Sequence, residues 1–343
     1  MPPEVQALLV ELGAGGTLDS SGRFTLRLEQ ALPRLRHYRL PGARLYPLKL
    51  AQAAIASGAR RLRASIDAFG VVLEHDGEPL EPKEMSELFG YLLDGRRLPE
   101  LRALRHLAAG IHAATATGAR RIDLSTRRGT GLWAPDSSFR WIAQETDLGD
   151  FTTRFTLAWT LEQVARGWLR QARTSLTRLA WTGFLEEEAR VLEERCGFCP
   201  VPVELNGRQL SRWREPPGCL AAEYLLGGEL RAPAVSAARV PPRVPRELLG
   251  TGAIPCRAVL WLTGSREPAR LCFVHDGWVI ETQTMELGVP GLVAVLDAQG
   301  LSTDLSDLAV VRDESYERLL EELRARAGGL LRKSGMIQAS SLE

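Results

Sequence analysis

The chain has 343 residues, 45% of them hydrophobic and 25% charged, and a formal net charge of +1. That length allows two domains with separate cores, and the composition is that of an ordinary soluble globular protein. Near-balanced charge supplies no field for nucleic acid, an anionic membrane or an acidic partner, so neither nucleic acid nor membrane is expected as a partner.

The opening residues, MPPEVQALLVELGAGG, carry no basic segment ahead of an apolar run, and no window approaches the ~18–20 apolar residues of a membrane span. A cytoplasmic protein is expected. The cations are almost all Arg, with Lys only at Lys49, Lys83 and Lys333, a bias that a GC-rich genome explains. An odd count of cysteines, five, fits a reducing compartment. Cys196-Gly-Phe-Cys199 is a CxxC pair, but a structural zinc site wants a second close pair, and Cys256 and Cys272 stand alone. A thioredoxin-type centre wants its CxxC to enter a helix from a strand, whereas this one follows a helix and precedes a strand. Inert thiols and no metal are expected.

In chain order, Phe24–Leu28 alternates as a half-buried strand, and a short helix spans Gln30–His37 before Leu40-Pro41-Gly42. Pro47 opens the helix that organises the first half, with Leu48, Ala51 and Ile55 as its apolar stripe. Gly58 ends it, and a strand follows with Leu62, Ala64 and Ile66 on one face. The chain turns at Asp67–Gly70 and returns as Val71–Glu74, giving a hairpin beside a helix. Sixty residues later the device recurs: Ser57-Gly-Ala-Arg-Arg-Leu62 matches Thr117-Gly-Ala-Arg-Arg-Ile122 after a helix bearing Leu101, Leu104, Leu107, Ala108, Ile111 and Ala114. Two helices packed on one face of one sheet, each leaving by the same turn, account for the match.

Strands near 121–127, 138–144 and 151–160 read as an antiparallel meander. Two helices follow, the second with Leu185, Ala189, Leu192 and Cys196 on one face. Val201, Val203 and Leu205 then alternate into the hairpin signal Asn206-Gly207. Prolines break the pattern from Arg212 to Gly250, which reads as a connector with one or two edge strands. A second β-rich unit follows at 257–263, 270–274, 278–284 and 291–296, and His275-Asp276-Gly277 is one of its turns. A helix over 313–327, stopped by Gly328-Gly329, closes it.

The order helix, GARR turn, strand, Asp-Gly turn, second helix resembles the ATP-binding domain of the gyrase, heat-shock chaperone, histidine kinase and MutL ATPases, the GHKL superfamily. Ala56–Leu62 and the later Cys199–Gly207 are most similar to segments of the heat-shock chaperone domain. The resemblance implies a two-layer α/β (α+β) sandwich over residues 1–208, with a mixed, mostly antiparallel sheet and helices on one face. Over 209–343 it implies a linker and a smaller β-rich, transducer-like domain. It also implies homodimerisation through flanking segments.

Carried over residue by residue, the family's chemistry is missing. Its Glu base falls on Lys49 and its magnesium-holding Asn on Ala53. No Asp or Glu lies between Gln30 and Ile66, and the only Asn in the chain is Asn206, so a shifted register supplies neither. An ammonium takes no proton from water, and Ala offers magnesium no oxygen. The adenine-binding Asp falls on His75, with Asp76 one place late; Gly77 survives, and Pro79 replaces the next Gly. Where a glycine-rich lid belongs there is only Asp94-Gly95-Arg96-Arg97. Of the histidines, His106 and His112 are six apart, too far round one helix for a metal pair.

ATP hydrolysis is therefore not expected. The expected function is a chaperone-like pseudo-ATPase serving as an interaction scaffold for protein partners the sequence does not name, with no cofactor. The alternative is metal-free ATP binding, with Asp76 accepting the adenine amine and Lys49, Arg96, Arg97, Arg102 and Arg105 neutralising phosphates. The degenerate pocket would comprise Lys49, Ala53, His75, Asp76, Gly77, Arg96, Arg97 and Arg105.

Overall fold

The computed structural model describes residues 40–67, 69–93, 98–134, 139–159, 186–210, 215–233, 253–304 and 306–334. The elements expected at 24–28 and 30–37, the first of the two helices expected after the strands, Arg96 and Arg97 lie outside these residues.

Helix α1 (Tyr46–Ala56) has Pro47 in its first turn, where a missing N–H costs no hydrogen bond. The expected single stripe understates its burial. Every residue from Tyr46 to Ala54 is buried, Lys49 and Gln52 included. Gly58 ends the helix at φ 79°, and strand β1 (Leu62–Asp67) pairs antiparallel with β2 (Gly70–His75). After short helices α2 (Pro82–Ser86) and α3 (Gly90–Leu93), helix α4 (Arg102–Thr115) leads into β3 (Arg121–Thr126). The repeated turn holds in detail. Gly118 has φ 77°, and Ser57 and Thr117 each donate a hydroxyl hydrogen bond to the carbonyl three residues earlier, at 2.9 and 2.7 Å.

Strands β4 (Gly129–Trp133), β5 (Phe139–Ile142) and β6 (Thr153–Ala158) correct the expected meander. β3, β4 and β5 follow in order, but β6 returns to lie between β3 and β2, antiparallel to both. Phe155 and Leu157 explain the choice. Between two strands that lie under the helices both are buried, with the Phe155 ring 6.4 Å from that of Tyr46. Helix α5 (Glu186–Arg195) precedes β7 (Val203–Leu205), which runs parallel to β1 and turns into β8 (Arg208–Gln209). The finished sheet has eight strands in the order β5-β4-β3-β6-β2-β1-β7-β8. Asn206 adopts φ 52° in the last turn, and its side chain accepts from Ile66 N at 2.7 Å and donates to Ile66 O at 3.0 Å, extending the pairing of β1.

The second sheet orders β9 (Cys219–Pro233), β10 (Ala253–Thr263), β11 (Ala269–His275), β12 (Trp278–Met285) and β13 (Leu292–Asp297) as β12-β11-β13-β10-β9. The stretch read as connector holds a 15-residue strand at the sheet edge; no proline interrupts it, Pro233 being its last residue, paired with Ala253. Helix α6 (Glu314–Lys333) is capped by Asp313, which accepts from the backbone N–H of Ser315 and Tyr316. It runs through Gly328 and Gly329 instead of stopping there. Leu320, Leu323, Ala327 and Leu330 are buried at helical spacing, and burying Leu330 outweighs the ~1 kcal/mol each glycine costs. The whole is a mixed α/β architecture: a mostly antiparallel eight-stranded sheet with helices packed on it, then a smaller β-rich unit. One apolar cluster runs from Ala64, Leu107 and Leu157 of the first unit to Leu260, Phe273 and Leu323 of the second.

Candidate functional site

Two places gather the chemistry that the sequence singled out. The first lies beside α1, where Leu50, Ala53, Ser57, Leu73, His75, Leu107 and Phe155 enclose a cavity of ≈ 20 Å³, room for about one water. Ala53 and His75 both line it. Nδ1 of buried His75 accepts a hydrogen bond from Gly77 N at 3.2 Å, and burial pulls the ring down to about 4 against the opposing charge of Asp76, so it is neutral at pH 7. Asp76 points the other way. Its Oδ1 accepts from the backbone N–H of Arg60 and Arg61 at 2.7 and 3.0 Å, and its Oδ2 lies 3.5 Å from Arg61 Nε, so the carboxylate closes the GARR turn. Gly77 packs so tightly on the end of α1 that an added Cβ would strike Ser57 Oγ and sit 3.0 Å from Ser57 O.

Lys49 belongs to the second place, one turn earlier on α1 and fully buried. Its Nζ lies 3.2 Å from His106 Nδ1, and His106 Nε2 lies 2.9 Å from Asp276 Oδ2. An ammonium can only donate, so Lys49 makes Nδ1 the acceptor and leaves the His106 proton on Nε2, directed at Asp276. Arg102 Nη1 is 3.3 Å from Asp276 Oδ1, and Arg105 Nη2 is 3.3 Å from Asp307 Oδ2, whose other oxygen accepts from Thr303 Oγ1 at 2.6 Å. His275 Nε2 lies 3.4 Å from Asp276 Oδ2, and Gln52 Nε2 donates to His275 O at 3.3 Å. Lys49 and Arg105, placed in the degenerate pocket and given to phosphates only in the alternative reading, thus face carboxylates from the second sheet's β11–β12 turn and the loop before α6.

The charge states follow from burial and neighbours. Burial lowers Lys49 to about 8, opposed by Asp307, Asp276 and Asp304, so it is still mostly charged at pH 7. Burial and then the Lys49 charge push His106 down to about 4, leaving it neutral. For Asp307 burial works upward, but Lys49, His106, Thr303 and Arg105 outweigh it and hold the carboxyl at about 2. Asp276 is likewise held below the ordinary carboxyl range, burial being outweighed by His106, His275 and Arg102.

His106, His275 and Asp276 place three ligand-type atoms within 4.8 Å of one another. The donor set still fits a hydrogen-bonded relay better than a metal centre. The tautomer imposed by Lys49 leaves His106 Nε2 without a lone pair to offer, and Lys49, Arg102 and Arg105 already crowd the site with positive charge. All five cysteines are buried thiols, and burial raises Cys196 to about 11, far from a reactive thiolate.

Sequence reasoning passed over His275-Asp276 as a plain turn. One signal was there to be read: the tripeptide His-Asp-Gly occurs twice, at 75–77 and 275–277, the second time 200 positions on. No family model matches the sequence, and no curated protein matches it either. Among solved structures, the ATPase region of Saccharomyces cerevisiae topoisomerase II is similar over 86% of each chain, with a TM-score of 0.45 and 12% identity. A likeness at that level carries no argument for fold or function.

Proposed function

We propose that this protein is a degenerate GHKL-type, heat-shock-chaperone-like molecule that does not turn over ATP and serves as a cytoplasmic interaction scaffold for protein partners. The observation that carries the reading is the setting of Lys49. The residue at the expected base position is an ammonium bonded to His106 and faced by Asp276 and Asp307, so it can neither activate water nor receive a phosphate without losing those partners. Ala53, at the expected magnesium position, borders a space of ≈ 20 Å³, and Asp76 is committed to backbone N–H groups rather than to an adenine.

The competing reading, metal-free ATP binding, draws on Arg102 and Arg105 as phosphate partners; it requires both to leave the carboxylates they pair with. Steady-state hydrolysis assays with magnesium and ATP test the proposal. The expected rate is that of buffer. Turnover that is abolished in Lys49→Ala overturns it.

A further inference from the structure

The two units meet across an apolar joint, bridged at α5 by Arg195 donating to Val279 O and Ile280 O and, beside α1 and α4, by a polar seam. From the first unit come Lys49 and Gln52 on α1, and Arg102, Arg105 and His106 on α4. From the second come His275 and Asp276 in the β11–β12 turn, and Thr303, Asp304 and Asp307 in the loop before α6. Two ion pairs cross the joint, Arg102 with Asp276 and Arg105 with Asp307; neutral His106 adds a hydrogen bond to Asp276, and the Lys49 ammonium feels both acids.

The backbone is bent to present these carboxylates. Among the described residues only Asn206, Asp276 and Asp307 are non-glycine residues at positive φ, and both acids sit at 51°. That conformation is costly for an L-residue and is tolerated best by Asp and Asn. The β11–β12 turn is also seated against the first unit's link from α5 to β7, since a Cβ on Gly277 would strike Pro200 and come within 3.0 Å of Cys199 Cα. Apolar burial is non-directional and by itself selects no single register. Buried ion pairs select one, because a shifted register leaves each charge uncompensated.

We infer that this seam is an internal latch: Asp276 and Asp307 act as built-in ligands for the cations of α1 and α4 and fix the second unit on the first in one orientation. The latch stands whether or not a nucleotide binds elsewhere, so its test is separate from the hydrolysis assay. It makes the joined arrangement a property of the chain that needs no small molecule to set it.

Hydrogen exchange on the full chain, read by mass spectrometry together with far-UV circular dichroism, tests it. In Asp276→Asn/Asp307→Asn the amides of α1 and α4 are expected to exchange at least tenfold faster along with those of 275–277 and 303–307, with the dichroism unchanged. Faster exchange confined to the substituted loops overturns the latch. A cycle of Arg105→Gln, Asp307→Asn and the double variant covers the case in which the first variant unfolds. Coupling across the joint predicts that the double variant exchanges no faster in α4 than the worse single, and effects that multiply overturn the inference.

Discussion

Replacing Lys49 by Met keeps much of the side chain's volume and removes the one ammonium buried on α1. The wild-type chain holds this amine near 8, against an ordinary value of 10.5. Between those values the unfolded chain binds a proton that the folded chain releases, so folding stability rises with pH across that window. Working the linkage through, Lys49 alone adds about 2–3 kcal/mol to wild-type stability between pH 7 and pH 10. Lys49→Met lacks this term while keeping the other titrating groups. Urea denaturation of both proteins at intervals over that range gives the difference directly. The wild type is expected to gain about 2–3 kcal/mol on the variant as pH rises. Parallel curves would refute the reasoning, because they would mean that Lys49 keeps its ordinary affinity for protons and is not buried beside His106.

Other outcomes follow from the same geometry. His75 is held near 4 by burial against 6.5 when exposed, so stability is complete above about 6.5 and falls as acid protonates the unfolded chain first. His75→Leu is expected to remove up to about 3 kcal/mol of that acid loss, measured by denaturation between pH 7 and pH 4. Asn206→Ala strips both side-chain bonds from Ile66 and leaves alanine at a left-handed φ; it should cost about 2 kcal/mol in urea, and a cost near zero would contradict the clamp. Gly328→Ala and Gly329→Ala should each stabilise by about 0.5–1 kcal/mol, since both sit inside α6 and an added Cβ meets only the tip of Arg332 at 3.8 and 3.9 Å.

Local rules made much of the architecture legible. Alternation marked β1 and β7, short turns marked β2 and β10 to β13, and the repeated GARR segment marked two helices leaving by one turn. What local rules missed was decided at long range. β6 lies between β2 and β3 because Phe155 and Leu157 need cover from α1 and α4, and nothing in 153–158 itself states its neighbours. α6 crosses two glycines because Leu330 is buried beyond them. At the site, Lys49 was singled out only by the resemblance, and its partners lie at His106, Asp276 and Asp307. Only folding brings residues 57, 227 and 258 positions away to the same buried point, and the sequence read Asp276 as a turn residue because Asp-Gly is common in turns.

The central claim is that, among the described residues, Lys49, Asp76, Arg102 and Arg105, which the alternative reading gives to a nucleotide, are bonded within the protein itself. Calorimetric titration of the full chain with ATP and with ADP, with and without magnesium, tests it most directly. The account predicts no saturable heat at millimolar nucleotide. Saturable heat that disappears in Asp76→Ala would contradict it, and would make an altered but working nucleotide site the better description of this fold.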